Sequence, residues 1–219
     1  MNNDHPKLAS GLARLGLETP DGAIDKLLAY MDLLKEWSGT YNLVSPRERN
    51  FLLSRHILDS LSVKPWLQPG ALLDIGTGAG LPGLPLAIVD DTRQVTLLDS
   101  AGKKIRFIRH VVRTLQIDNI RPLHQRVEDG VNDGFFANIT SRAFASLAEF
   151  AVAARPCADA ASTLLAMKGA YPEQELEDLP GWVNVHSVEP LMVPYLHAER
   201  HLVIMSVSNS ERAVSTGPK

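Results

Sequence analysis

The chain has a single cysteine, Cys157, so no internal disulfide can staple it. That thiol stands between Pro156 and Ala158 with no histidine beside it, which gives it no context for nucleophilic catalysis. Long apolar runs are also missing. Residues 1–20 carry Asp4, His5, Lys7, Arg14 and Glu18 with no continuous hydrophobic core, unlike a secretory leader. No stretch reaches the length of a membrane span, so a cytoplasmic protein is expected. Positive charge is not in excess: 22 Lys and Arg against 25 Asp and Glu give a net charge of −3. A protein that coats nucleic acid through neutralised phosphates is thereby excluded, although a local basic face is not. The seven histidines are scattered, and no His/Cys/Asp group has ligand spacing, so no metal is expected. Repeats and low-complexity tracts are absent as well.

What is present fits a globular enzyme. Apolar residues make up 45% and charged residues 21% of the 219 positions, enough for one good core. Apolar side chains at Ile24, Leu27, Leu28, Met31 and Leu34 form one stripe of an amphipathic helix over 21–37. A second helix is expected over 50–66, with Leu52, Leu53, Ile57, Leu58 and Leu61 inward. Pro65 and Pro69-Gly70 close this helical region.

From Ala71 onward short apolar runs alternate with helical patterns, the mark of repeated β-α units and a mostly parallel sheet. Strands are expected at 71–75, 94–98, 120–124, 137–140 and 163–167, with a terminal pair at 183–188 and 201–207. Helices are expected at 84–89, 101–115 and 147–154. The predicted organisation is an N-terminal helical extension (1–69), an α/β domain (70–208) and a flexible tail (209–219).

The chemistry concentrates after the first strand. Asp74-Ile75 leads into Gly76-Thr77-Gly78-Ala79-Gly80, an acid at a strand end followed by three alternating glycines. Glycines there let the backbone turn sharply and approach a ligand where a Cβ would collide. The pattern is the general mark of class I methyltransferases, in which the turn packs against S-adenosyl-L-methionine. A rival reading exists, because Gly78-Ala79-Gly80-Leu81-Pro82-Gly83 also satisfies the dinucleotide fingerprint. Pyrophosphate binding needs free N–H groups at the helix start, and Pro82 and Pro85 remove two of them. S-adenosylmethionine carries no phosphate and loses little from those prolines.

The next strand ends at Asp99, where a carboxylate can accept both ribose hydroxyls of an adenosine. After the third strand, Gln125-Arg126-Val127-Glu128 offers backbone and a carboxylate to an adenine edge. Arg142 follows the fourth strand, bordering cofactor and substrate in such sheets; the alternative is a structural pair with Asp74 or Glu128. His56 is expected to serve as a structural hydrogen-bonding residue, and Trp37, Tyr41 and Phe144 to pack in the core. Lys168 fits a structural and a functional use equally. The helix at 101–115 carries Lys103, Arg106, His110 and Arg113 on one side, either a track for an RNA backbone or the solvated face of a sheet-covering helix.

Taken together, Asp74 to Ile88, Thr96-Leu97-Leu98-Asp99-Ser100, Lys103-Lys104-Ile105-Arg106-Phe107, Arg126-Val127-Glu128 and Ser141-Arg142-Ala143-Phe144-Ala145-Ser146-Leu147 resemble the ribosomal small-subunit methyltransferase G family, formerly called glucose-inhibited division protein B. Tyr41-Asn42-Leu43-Val44-Ser45, His56-Ile57-Leu58-Asp59-Ser60-Leu61 and Met167-Lys168-Gly169 are similar to it too. Two departures are Ala79, where the family commonly has proline, and Ser38-Gly39 after Trp37, where asparagine is more usual.

The resemblance implies a class I, Rossmann-like methyltransferase fold with a mostly parallel seven-stranded sheet flanked by helices. It implies methylation of N7 of a specific guanine in 16S rRNA, on naked RNA or within an assembling small subunit, by a monomeric bacterial enzyme. S-adenosyl-L-methionine contacts are implied at Gly76, Leu81, Val127, Glu128 and Arg142; the residues themselves add Asp74, Gly78 and Asp99. Guanine N7 is an exposed lone pair, so no general base is expected and Arg142 is read as a positioning residue. The chain lacks the Asp/Asn-Pro-Pro-aromatic motif of amino-group methylation. Open alternatives are methylation of another RNA or a small molecule, and a dinucleotide-binding protein.

Overall fold

The computed structural model describes residues 4–129, 131, 134–142 and 144–208. The expected tail at 209–219 lies outside them. Seven strands form one sheet in the order β3-β2-β1-β4-β5-β7-β6. They are β1 (Leu72–Ile75), β2 (Val95–Asp99), β3 (Ile120–His124), β4 (Asn138–Ser141), β5 (Thr163–Lys168), β6 (Val183–Pro190) and β7 (His201–Val207). The first five run parallel, and β7 pairs antiparallel with both β5 and β6. This is the seven-stranded, mostly parallel architecture that the sequence predicts.

Strands β1, β2 and β4 are buried at every position, which explains why β1 and β2 read as mostly apolar rather than as alternation, while in β4 the buried Asn138, Thr140 and Ser141 side chains donate to the Gln68, Leu165 and Ile75 carbonyls. The two sheet faces carry separate cores. Leu72, Leu97 and Leu165 turn toward a cluster with Leu84, Phe107 and Ile108. Leu73, Leu98 and Leu164 turn toward Leu147, Phe150 and Ala154. Helices α4 (Gly83–Val89) and α5 (Gly102–Thr114) cover the first face, and α6 (Leu147–Ala154) the second.

The N-terminal helices join the first core. In α2 (Ala23–Tyr41), Leu27, Tyr30, Met31 and Leu34 are buried in that cluster. Two elements were not legible in the sequence. Helix α1 (Asp4–Arg14) buries only Leu8, Gly11 and Leu12, too thin a stripe to stand out. Tertiary packing supports it: a Cβ on Gly11 would come within 2.7 Å of Leu58 Cδ1. Helix α7 (Glu173–Glu177) has no apolar stripe at all.

The expected helix over 50–66 requires correction. The chain winds through a 3-10 turn (Arg49–Phe51), a π-helical stretch (Leu52–Leu58), a short α3 (Asp59–Leu61) and another 3-10 turn (Lys64–Trp66). All five expected inward residues are buried nonetheless. Periodicity reports which side chains are apolar, whereas the tertiary fit decides whether the ladder closes at four or five residues.

Candidate active site

The carboxyl ends of the parallel strands carry two neighbouring cavities. The strand order reverses between β1 and β4, the point where open α/β sheets bind ligands. The first cavity, about 300 Å³, lies beyond β1, β2 and β3. Its lining includes Gly76, Asp99, Lys104, Gln125, Val127 and Phe144. The second, about 380 Å³, lies beyond β4 and β5 and is lined by Arg142 and Lys168 together with Glu48, Arg55, His56 and Asp59 from the N-terminal region and Arg200.

The glycine turn is built from both ends. Gly76, Gly78 and Gly80 have φ of 67°, 62° and 98°, a region that β-carbon-bearing residues rarely adopt. Asp99 ties the turn down: its Oδ2 accepts the Gly78 N–H at 2.9 Å and Lys104 Nζ at 3.2 Å, while Oδ1 accepts the Ala101 N–H at 2.8 Å. A Cβ on Gly78 would meet nothing nearer than Gly76 O at 4.0 Å, so open space borders the turn there. That space, a carboxylate at the end of β2 and the apolar walls of Val127 and Phe144 fit an adenosine-bearing cofactor with no phosphate.

Asp74 lies beneath the turn, fully buried. Its Oδ2 accepts the Thr77 hydroxyl at 2.6 Å and the Gly83 N–H at 2.8 Å, while Oδ1 has no hydrogen-bond partner among the described residues. Burial pushes the carboxyl up to about 7, against the pull of Thr77 and Gly83. Leu81 is buried in the first core rather than on the cavity wall. Val127 sits on the 3-10 turn Val127–Asp129; the Glu128 side chain lies outside the described residues.

Arg142 reaches neither Asp74 nor the first cavity. Its guanidinium donates to Asp59 Oδ2 at 3.4 Å, to the Arg55 carbonyl at 3.3 Å and to His56 Nδ1 at 3.2 Å. Arg200 Nε reaches the other Asp59 oxygen at 2.9 Å, so one buried carboxylate joins two guanidiniums. Burial raises the Asp59 carboxyl, and Arg142 and Arg200 pull it back. Arg200 is 141 residues from Asp59, beyond the reach of any local pattern. Glu48 and Arg55, paired at 2.7 Å, were likewise not singled out in the sequence. Lys168 pairs with Glu175 of α7 at 2.7 Å, and the same carboxylate accepts the Leu147 N–H at the start of α6.

His56 has a fixed tautomer. A guanidinium only donates, so Nδ1 must accept and the proton sits on Nε2. Burial and three nearby arginines lower the imidazole to about 3, so it is neutral in the folded protein. The 3.7 Å approach of Glu48 to Nε2 is therefore no ion pair.

His56 and Asp74 work in opposite directions with pH. His56 contributes stability that is full above about 6.5 and is lost as pH falls toward about 3. Asp74 carries a penalty that is absent below about 4, grows as pH rises through about 7 and is constant above. Each slope is up to about 1.4 kcal/mol per pH unit. Relative to wild type, His56→Gln is expected to gain stability between pH 7.5 and 5, and Asp74→Asn to lose it, in urea melts. Parallel pH profiles for all three proteins would contradict both assignments.

Comparison with known proteins agrees with this geometry. The solved glycopeptide N-methyltransferase MtfA complexed with S-adenosyl-L-methionine superposes with a TM-score of 0.59 at 12% identity, covering 69% of this chain and 94% of that one. Ribosomal protein L11 methylase from Lactobacillus delbrueckii subsp. bulgaricus gives 0.51 at 16% identity, covering 69% and 77%. These likenesses show the methyltransferase fold. Closer in sequence is ribosomal RNA small subunit methyltransferase G of Photobacterium profundum, 41% identical over 91% of this chain and 97% of the relative. Its counterpart in Salmonella paratyphi B is 45% identical over 91% and 96%. A family model described as rRNA small subunit methyltransferase G matches residues 23–203. The cavities at the reversal of strand order thus lie within the matched region, and the chain belongs to the rRNA small subunit methyltransferase G family.

Proposed function

We propose that this protein methylates N7 of a specific guanine in 16S rRNA, with S-adenosyl-L-methionine in the first cavity and the guanine in the second. The observation that carries the reading is the pair of cavities on either side of the β1–β4 reversal in a member of this family. When bound, S-adenosylmethionine supplies a methyl group activated by a sulfonium. Asp99 offers carboxylate oxygens to the ribose hydroxyls, Gly76 and Gly78 shape the backbone beside the methionine portion, and Val127 and Phe144 flank the purine.

In the second cavity Arg142 is the positioning residue for the acceptor, held by Asp59 and His56. N7 carries no proton, so none of the cavity side chains has to remove one. Methylation leaves the purine cationic, and the Glu48 and Asp59 carboxylates offset part of the positive charge of Arg55, Arg142, Lys168 and Arg200 around it. Residues 1–69 act as a helical extension that contributes Glu48, Arg55, His56 and Asp59, while 70–208 form the catalytic domain. No described helix is long and apolar enough to cross a membrane; we read the protein as a cytoplasmic monomer.

The test is mass mapping of 16S rRNA from a strain lacking the gene, with and without its return. One 7-methylguanine is expected to vanish and reappear. An unchanged methylation map would overturn the proposal. Offering purified enzyme either naked 16S rRNA or small subunits, with labelled methyl donor, identifies which is the substrate.

A further inference from the structure

Helix α5 carries Lys103, Arg106, Arg109 and Arg113, all exposed. At 100° per residue the four fall within a sector of about 120°, and at 1.5 Å per residue they run for about 15 Å along the axis. Among the described residues none of them makes an ion pair or a side-chain hydrogen bond. Several basic side chains elsewhere are paired: Lys64 and Arg93 with Asp90, Arg142 and Arg200 with Asp59, Lys168 with Glu175. A run of unneutralised cations in a chain of net charge −3 is a concentrated feature. Mutual repulsion along one helix face lowers stability, since like charges at i,i+4 are unfavourable.

A second, independent observation lies beside the stripe. His110, in the same sector of α5, packs on Trp37 with centroids 5.0 Å apart, and Trp37 stacks on Tyr41 at 5.2 Å. All three rings are only half-buried. The structure therefore joins a cationic track to a partly open aromatic shelf, the pairing of phosphate contacts and stacking platforms that suits single-stranded nucleic acid. Lys104, in the first turn of the same helix, lines the first cavity.

We propose that this face of α5, with the Trp37–Tyr41 shelf, is a docking surface for the RNA backbone flanking the target nucleotide. The inference rests on the rRNA reading above and adds to it where the RNA runs. It takes the RNA-track reading of the stripe over the solvated-face one, and charge reversal decides between them.

The test compares full-length wild type with the triple variant Arg106→Glu/Arg109→Glu/Arg113→Glu and its neutral counterpart with Gln at the three positions. Transcribed 16S rRNA is the probe, titrated at several salt concentrations, with calorimetry of S-adenosylmethionine binding and thermal melts as controls. Charge reversal is expected to weaken RNA binding at least tenfold at low salt and to reduce the log–log salt slope by about 2 to 3, at roughly 0.7–0.9 per phosphate contact. The neutral variant should fall between, and cofactor affinity should not change. Arg155→Glu, on the α6 side of the sheet, should have little effect beside Arg109→Glu. Unaltered affinity and slope in both triple variants, with wild type binding normally, would overturn the surface. A wild-type protein that binds neither transcribed 16S rRNA nor small subunits would remove the functional reading and this surface with it.

Discussion

Replacing Asp99 with alanine is expected to weaken S-adenosylmethionine binding by about 100-fold or more, measured by calorimetry. The carboxylate is 6% exposed and accepts from Gly78 N–H, Ala101 N–H and Lys104. Hydrogen bonds to a charged group are worth roughly 1.5–3 kcal/mol each, and a lost partner leaves the remaining donor unsatisfied. Alanine thus frees the glycine turn, loosens the start of α5 and leaves Lys104 unpaired beside the cavity. It also deletes the acceptor for the ribose. A hundredfold loss corresponds to about 2.7 kcal/mol, less than the sum of the bonds at stake. Asp99→Asn keeps the shape but gives up the charge and one acceptor, so an intermediate loss is expected. Wild-type affinity in Asp99→Ala would remove this residue from the cofactor site.

Gly83→Ala should be the most destabilising single methyl added to the turn. A Cβ there would overlap Leu97 Cδ2 and stand 2.9 Å from Asp74 Oδ2 and 3.0 Å from Asp74 Cβ. Both neighbours are 0% exposed and cannot swing away. Overpacking costs about 1–3 kcal/mol, and disturbing the bond from Gly83 N–H to the buried carboxylate adds a similar amount. A loss of roughly 3–5 kcal/mol in denaturant melts is expected. Gly78→Ala is the contrasting case: its Cβ meets open space, so the cost is the left-handed backbone alone, about 1–2 kcal/mol. Its added methyl, however, enters the space beside the turn, so cofactor affinity should fall more than stability. Equal stability losses in the two variants would contradict the packing argument.

These two glycines show what the motif did and did not say. The motif alone ties the glycines to a sharp turn and close approach to a ligand. Gly76, Gly78 and Gly80 do occupy left-handed backbone. Gly83 is different: it is required by the protein's own Asp74 and Leu97, not by φ or by open ligand space. Pro82 and Pro85 flank it on the entry to α4; of the two N–H groups between them, that of Gly83 donates to Asp74 and that of Leu84 to the Gly80 carbonyl.

Much of the fold was readable because parallel strands and sheet-covering helices have strong local signatures. Strands β3 and β7 and helix α6 have the expected bounds, and the other strands differ by one or two residues. Helices α1 and α7 escaped because their sequences carry little or no apolar stripe, and packing or a salt bridge supports them instead. The π-helical stretch escaped because the same buried leucines satisfy either winding.

By itself, then, the sequence determined the class of the molecule: the β-α alternation, the glycine turn with Asp74 and Asp99 at strand ends, and the resemblance to its family. Such features are local, fixed by neighbours within a few residues. Only the tertiary structure decided that Arg142 sits with Asp59, Arg200 and His56 rather than with Asp74, and that the N-terminal helices complete the second cavity. Those contacts span 83 to 141 residues of sequence. No periodicity records them, since they exist only once the sheet has brought its strand ends together and burial has made each charge seek a partner.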